Sequence, residues 1–564
     1  MSFSTGRGPA ATLMTLAEGR PAALTGAESH EMTGWALPDG VLREAPAHAP
    51  RPRELADLEL LLSGALAPLT GLPTRADLES IARTGRLADG TPWPVPITLS
   101  VPASVVAGLD LANPLRRALV LTDSEGTPLA AVDVIDVWPV ANGRPAPGAP
   151  DREGRVPAET SGFVGIGGPV RRIGESLGGS FRDLRLTPAE VRETIPPNSR
   201  VVAVYADRPL HRPQLAQIAY AARTIAGHVL VLIPVGEPGP DGLPPEALVR
   251  TVLAARDRLP AATLVAVPLI RRANYPARPG PSPEVADALL RARIAENYGA
   301  THLLATGPQI VGAGLRLLLP RELAYDGRDG QWRGADDIPP RHRRQALTIE
   351  EINDMLDRGA TLPEWHTPPA VAAQLARARP RRAVRGLVVF FTGLRGSGKS
   401  TLARGVADEL NETGERTVTV IDSGVARRFL TAGLGSSRAD QDELVRRIAF
   451  VAAEAARHGG LALCCPVAPY AAGRTIARRL AHEAGAGFIL VHVSTPREVC
   501  EQRDPRGRAA RELAGHVSDP EGVDDIYEPP TDADLVIDNS TLEVGEAVKI
   551  VLDYLANEGW VEGV

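Results

Sequence analysis

The residues most able to do chemistry in this 564-residue chain are Gly393, Leu394, Arg395, Gly396, Ser397, Gly398, Lys399, Ser400 and Thr401. Their order satisfies G-x-x-x-x-G-K-[ST], the spacing of a phosphate-binding loop. The glycines allow successive backbone N–H groups to turn inward around a phosphate chain. Lys399 would place a compact charge on the β- and γ-phosphates, and the Ser400 hydroxyl would be positioned for Mg2+. Only two lysines, Lys399 and Lys549, occur among the 62 basic residues. A chain that otherwise uses arginine keeps a lysine where a planar fork would not simply replace a point charge. ATP and Mg2+ are the cofactors this loop predicts.

The surrounding pattern supplies the elements that such a loop needs. An apolar strand over 387–393 precedes it and a helix follows. Further strands are expected at 418–423, 461–467 and 488–494, with helices between them and a final helix over 542–556. This alternation predicts a parallel sheet. Asp422 ends the second strand at the carboxyl edge, where an acid can orient Mg2+ or an acceptor hydroxyl, or else cap the next helix. Arg427, Arg446, Arg447, Arg474 and Arg478 lie on helices that could face either an anionic acceptor or solvent. The arginine-rich segment 501–512, with Arg503 and Arg506, reads as a lid over phosphates or as an exposed helix.

A second α/β texture lies upstream. Strands at 201–206, 228–235, 263–269 and 301–306 alternate with helices at 212–226, 245–258 and 286–299, again the pattern of a doubly wound sheet. Before it, a helix over 54–67 leads into strands within 87–102 and 117–140, with the DSEG tetrapeptide as a hairpin turn. The fold class is therefore α/β multidomain. The scheme is a flexible arm (1–50), a mostly β amino-terminal domain (51–199), a nucleotidylyltransferase-like Rossmann-type domain (200–315), a looser appendage (316–375), an exposed basic linker (376–386) and a P-loop domain (387–564).

Composition narrows the partners. A formal charge of −6 gives no reason to expect a polyanion, so neither nucleic acid nor a membrane is a predicted partner. Three cysteines cannot build a disulfide framework or a four-cysteine zinc site, which fits a reducing, cytoplasmic setting. No run of about 20 apolar residues occurs.

Residues 386–540 resemble adenylylsulfate kinase in GLRGSGKSTLA, IDSGVAR, GGLALCCPVAPYAAGRTIAR, VSTPREVCEQRDPRG, GVDDIYEPP and ADLVIDN. Residues 54–375 resemble ATP sulfurylase in LAPLTGLPTRADLESIARTGRLADGTPWPVPITLSV, FRDLRLTPAEVRE, RPLHRPQL, ENYGATHLL and INDMLDRGATLPEWHTPPAVA. The resemblance implies a fused sulfurylase–kinase architecture. It also implies γ-phosphoryl transfer from ATP to the 3′-hydroxyl of adenylyl sulfate, a small anionic hydroxyl acceptor. By the same resemblance Lys399 and Asp422 are catalytic, Arg427 and Arg474 contact acceptor anions, Arg503 and Arg506 close on the nucleotide, and a homodimer is compatible.

Both halves depart from the pattern. The sulfurylase Q-x-R-N segment aligns with Tyr205-Ala206-Asp207-Arg208, so an anion stands where the arginine expected to hold sulfate belongs. Of the H-x-x-H histidines only His211 remains, with Gln214 at the second place, and the G-R-D loop aligns with Ala305-Thr306-Gly307. Sulfate adenylylation by this half is therefore not expected. In the kinase half D-G-D-N appears as Asp422-Ser423-Gly424-Val425, Ser436 replaces an aromatic, and Gln441 and Leu444 stand at positions usually held by Arg and Asn. Asp440 or Asp442 could substitute for the missing acid. A kinase for a different hydroxyl acceptor and a nucleotide-binding regulatory pseudoenzyme stay open beside adenylylsulfate kinase.

Overall fold

The computed structural model describes residues 39–93, 95–141, 144–145, 162–174, 179–271, 282–305, 314–414, 416–435, 437–503 and 527–562. Most of the expected arm, and Arg506 with the rest of 504–526, lie outside these residues. Two compact units are present: residues 1–346 with 364–371, and residues 347–363 with 372–564.

The first unit opens with a mainly antiparallel sheet. Its hub is the strand Phe163–Arg172, which pairs with Gly71–Leu72, Leu99–Pro102, Pro128–Asp133 and Asp136–Ala141. That strand did not emerge from the sequence because FVGIGGPVRR has little side-chain alternation. The glycines answer to packing: Gly165 lies so close to the Trp138 indole that a Cβ there would overlap it. The expected hairpin is present, with Ala118–Thr122 pairing Pro128–Asp133. Next comes a parallel sheet in the order Ala262–Val267, His228–Pro234, Val201–Tyr205, His302–Leu304, Arg316–Leu318. One continuous apolar core, from Leu58 through Trp138 to Leu232 and Leu303, joins the two parts. Within the expected appendage, Leu323–Asp326, Gln331–Gly334 and Arg343–Arg344 form a small antiparallel sheet.

The second unit is an all-parallel sheet of β1 (Leu387–Thr392), β2 (Val418–Ile421), β3 (Leu461–Cys464), β4 (Gly487–Val493) and β5 (Leu535–Ile537), ordered β2-β3-β1-β4-β5. Around this sheet the described helices are α1 (Lys399–Thr413), α2 (Ser423–Phe429), α3 (Arg438–Arg457), α4 (Ala471–Glu483), α5 (Arg497–Arg503) and α6 (Val544–Asn557). Every residue of β1 is buried. Leu387, Val389 and Phe391 enter the core under α1 and α6, while Val388 and Phe390 enter the core under α3 and α4. A strand buried on both faces reads as an unbroken apolar run, which is why β1 was legible.

The helix Ile349–Asp357, grouped with the appendage in the sequence, lies in this second unit. The connector 376–386 is not the exposed linker expected. Asp357, 8% exposed, accepts from Arg379 (2.7 and 2.9 Å), Arg382 (3.2 Å) and Arg385 (2.8 Å). Arg382 and Arg385 also lie over the Trp560 ring, at 5.5 and 5.0 Å from its centroid. A buried carboxylate requires cationic or N–H partners, and the connector supplies them.

Candidate active site

The phosphate-binding loop runs from the end of β1, the central strand, into α1. Gly396 and Gly398 have φ of 82° and 96°, which side chains other than glycine rarely adopt. A Cβ at Gly396 would strike the Cys500 carbonyl, and one at Gly398 would strike the Asn539 amide. The backbone conformation and these near neighbours both demand glycine at these two places.

Lys399 is 7% exposed. Its Nζ donates to Gly393 O (2.9 Å) and Leu394 O (2.7 Å), with Ser397 Oγ at 3.4 Å. Burial lowers its pKa to about 8, opposed by the neighbouring Cys465 and Cys500. The ammonium is thus held by oxygens of its own loop. Ser397 is fully buried, and its carbonyl accepts from Thr495 Oγ1 (3.0 Å) and Asn539 Nδ2 (3.3 Å). Ser400, at the start of α1, is half-buried within hydrogen-bonding reach of the Cys465 thiol, whose pKa is pushed up to about 12 mainly by burial. Leu394 is partly covered, whereas Arg395 and Thr401 are exposed.

Asp422 follows β2 and is the N-cap of α2. Its Oδ1 accepts from Gly424 N (2.9 Å) and Val425 N (3.0 Å), and its Oδ2 pairs with Arg404 of α1. The Val425 amide, then Arg404 and the Gly424 amide, hold its pKa below the usual carboxylate value against the opposing effect of burial. Both oxygens are therefore engaged. A catalytic Asp422 would have to exchange Arg404 for substrate or metal.

Of the other sequence-selected arginines, none whose side chain is described donates into this loop. Arg474, expected to contact the acceptor, is 4% exposed and donates to the carbonyls of Ala468 (2.8 Å), Pro469 (3.3 Å) and Glu528 (2.8 Å). Arg503 is exposed at the end of α5 and donates to Ser540 O (3.3 Å), not into the loop. Arg427 lies on α2, with its side chain outside the described set, and Arg506 is outside it altogether. Arg446 pairs with Glu443, Arg447 donates to Leu430 O and Ala432 O, and Arg478 pairs with Asp532 and Asp534. Asp440 completes the capping box of α3 through Ser437. Asp442 lies against Gly473 of α4. Asn539, Thr495, Arg404 and Cys465 were not selected from the sequence. Asn539 ends the quoted ADLVIDN stretch, which was its one signal.

In the first unit, His211 is buried beside His366, ring centroids 4.8 Å apart, and both Nδ1 atoms lie 2.9 to 3.0 Å from the one hydroxyl of Thr367. Burial, then His366, lowers the His211 pKa to about 3. Asp207 is partly exposed, 3.9 Å from Arg291, whose guanidinium also pairs with Asp287 (2.8 Å) and lies 5.0 Å from the Tyr205 ring centroid.

A glycine-bordered lysine loop between the central strand of a parallel sheet and a helix defines a P-loop phosphotransferase fold, here joined to a second α/β unit. The chain belongs to the fused ATP sulfurylase–adenylylsulfate kinase family, the enzymes of sulfate activation. Residues 385–538 match the adenylylsulphate kinase model, residues 182–314 the ATP-sulfurylase model, and residues 42–146 a PUA-like domain. Sulfate adenylyltransferase of Mycosarcoma maydis is 31% identical over 554 residues, covering 92% of this chain and 93% of that one. The Yarrowia lipolytica sulfate adenylyltransferase is 32% identical over 542 residues, covering 90% and 93%. The solved hexameric APS kinase from Thiobacillus denitrificans is 32% identical, with a TM-score of 0.67 over 93% of this chain and 96% of that one. No described helix is long and apolar enough to cross a membrane.

Proposed function

We propose that the second unit transfers the γ-phosphoryl of ATP to the 3′-hydroxyl of adenylyl sulfate. The observation that carries this reading is the buried Lys399 ammonium bonded to Gly393 O and Leu394 O at the mouth of α1. Phosphate oxygens can take the place of those carbonyls, and the loop amides and helix N-terminus add to the attraction. Mg2+ would be held by Ser400 and phosphate oxygens. The hydroxyl is a suitable hard ligand, and Asp422 would join only after releasing Arg404. When bound, the ion would supply positive charge to offset the charge developing on the phosphates. Lys399 would stabilise the transferring group, Asp422 would orient the acceptor hydroxyl, and Arg427, Arg503 and Arg506 would add positive charge around the substrates. The setting is cytoplasmic, and a homodimer is compatible with the fold.

The test gives purified protein ATP, Mg2+ and adenylyl sulfate, and measures ADP and phosphorylated product against Lys399→Ala. Product that disappears in the variant supports the proposal; ATP binding without product rejects adenylyl sulfate as acceptor. The engagement of Asp422 with Arg404 favours one second reading, a kinase for another hydroxyl acceptor, which a panel of alcohols and nucleosides would expose.

For the first unit we infer loss of sulfate adenylylation. Asp207 draws Arg291 into an ion pair, so that guanidinium is already matched by two carboxylates and has little charge to offer sulfate. Sulfate-dependent pyrophosphate release from ATP would overturn this inference.

A further inference from the structure

Arg474 is a charged side chain with almost no exposure, and its partners are backbone carbonyls. One terminal nitrogen serves Ala468 and Pro469, and the other serves Glu528. Two more bonds close the same junction: Glu528 N donates to Pro469 O (2.9 Å), and Ala471 N donates to Glu528 Oε2 (2.8 Å). The turn so fastened contains Ala468, which holds φ of 46°, a left-handed conformation that a non-glycine residue keeps only when its surroundings impose it. Thr392, the last residue before the phosphate loop, donates to Val467 O (2.7 Å) and lies 3.2 Å from Tyr527 Oη. Tyr527 in turn stacks on His492 of β4. On the other side, Arg438 of α3 lies 4.4 Å from the Tyr470 ring centroid.

The turn 466–470 leaves the carboxyl end of β3, between β2, which Asp422 follows, and the strand that feeds the phosphate loop. In a parallel sheet this edge is where the second substrate meets the nucleotide. We propose that Arg474 is a positioning residue for the phosphoryl acceptor: it fastens the turn 468–471 to Tyr527–Glu528 and sets the wall against which the acceptor docks, without touching the acceptor. This rests on the kinase reading above. A guanidinium enclosed by carbonyls contributes direction and rigidity to them and little field to an anion outside, because its charge is already matched by oriented dipoles. Arg416 does the same in the body of the unit, donating to Trp560 O and Gly459 O, each at 3.0 Å.

The test compares Arg474→Gln, Arg474→Lys and Glu528→Ala in the full chain. With adenylyl sulfate as acceptor, Arg474→Gln should raise its KM about tenfold or more while the KM for ATP stays within about twofold, the size expected when a binding wall loses its support. Arg474→Lys keeps the charge but cannot serve both sets of carbonyls, so it should fall between. Glu528→Ala should raise the same KM, and the double variant should be no worse than the poorer single one, the signature of one shared network. The salt dependence of the acceptor KM should not change. A flattened salt dependence in Arg474→Gln, with Glu528→Ala at wild-type KM, would overturn the proposal in favour of direct contact. Amide exchange read without any acceptor separates this from the kinase reading: Arg474→Gln should speed exchange at Ala471 and Glu528 and spare α1. Unchanged exchange at those amides sinks the positioning role whatever the acceptor is, whereas a wild-type protein that phosphorylates no adenylyl sulfate sinks only the kinase reading.

Discussion

The two units bury a titratable nitrogen at corresponding points, just beyond a central parallel strand, and the outcomes are opposite. His211 follows Val201–Tyr205 and Lys399 follows β1. Burial lowers both, His211 to about 3 and Lys399 to about 8. At neutral pH the histidine is therefore uncharged and bonded to a neutral hydroxyl, while the lysine is still an ammonium held by carbonyls. Only the second arrangement is electrostatically prepared for polyphosphate. Burial alone does not distinguish a structural group from a functional one; the charge that survives burial does.

Lys399→Arg tests that contrast most severely. The guanidinium keeps the charge but is larger and planar, and Lys399 is almost fully buried. Phosphoryl transfer should fall by about a hundredfold or more, as for loss of a positioned transition-state cation. His211→Gln should leave that activity unchanged. If Lys399→Arg retains wild-type turnover, a diffuse field and not a placed ammonium is what the loop needs.

His211 sharpens the other side. Its folded pKa lies below the usual 6.5, so as pH falls the unfolded chain takes the proton first. Stability present above pH 6.5 is lost through the window from 6.5 down to about 3. His211→Gln removes this linkage, so acid unfolding of the first unit, followed by tryptophan fluorescence, should move to lower pH. At neutral pH the variant should be less stable by about 1 kcal/mol for the lost Thr367 bond. An unchanged acid midpoint would show that His211 is not buried neutral.

Legibility followed the same division between local and remote causes. β1 and the phosphate loop were readable because each states its environment in consecutive residues: an apolar run, then glycines and one lysine. The strand Phe163–Arg172 was not, because its glycines answer to remote neighbours: Gly165 to Trp138, 27 positions earlier, and Gly167 and Gly168 to the backbone of Pro73 and Asp133. The connector 376–386 was misread as exposed because the carboxylate that gathers its arginines, Asp357, lies 22 to 28 residues upstream. Asp422 supported either a catalytic acid or a cap in sequence, and the structure shows the cap. Arg474 looked like a ligand for anions because arginine types do not reveal whether carbonyls already occupy them. Thr495 and Asn539 reach Ser397 from elements 98 and 142 residues away, which no loop motif encodes.

Nucleotide binding should also move protons. In the free protein Lys399 titrates near 8, and a bound polyphosphate favours its charged form, raising that value. Binding at pH 8 to 9 should therefore take up part of a proton, while at pH 6.5 this lysine contributes nothing because it is already protonated. Calorimetry of ATP binding in two buffers of different ionisation enthalpy reads this directly, with Lys399→Ala as the control. Proton release at pH 8.5 would reverse the sign and place the lysine away from phosphate.

The smallest effect is expected at Arg404→Gln. Arg404 is 64% exposed, so its pairing with Asp422 is screened, while two backbone amides keep the carboxylate in place. Removing it should raise the Asp422 pKa slightly, moving the acidic limb of the pH–rate profile upward. It should change turnover only a few-fold, as is usual for an exposed partner. The direction of that change carries the information. A rise in kcat means that Arg404 competes with substrate or Mg2+ for Oδ2, so release of the pair is a step in catalysis. A fall accompanied by a higher acceptor KM means that Arg404 itself faces the acceptor. If neither kcat nor the acidic limb moves, Asp422 serves α2 as a cap and takes no part in the chemistry.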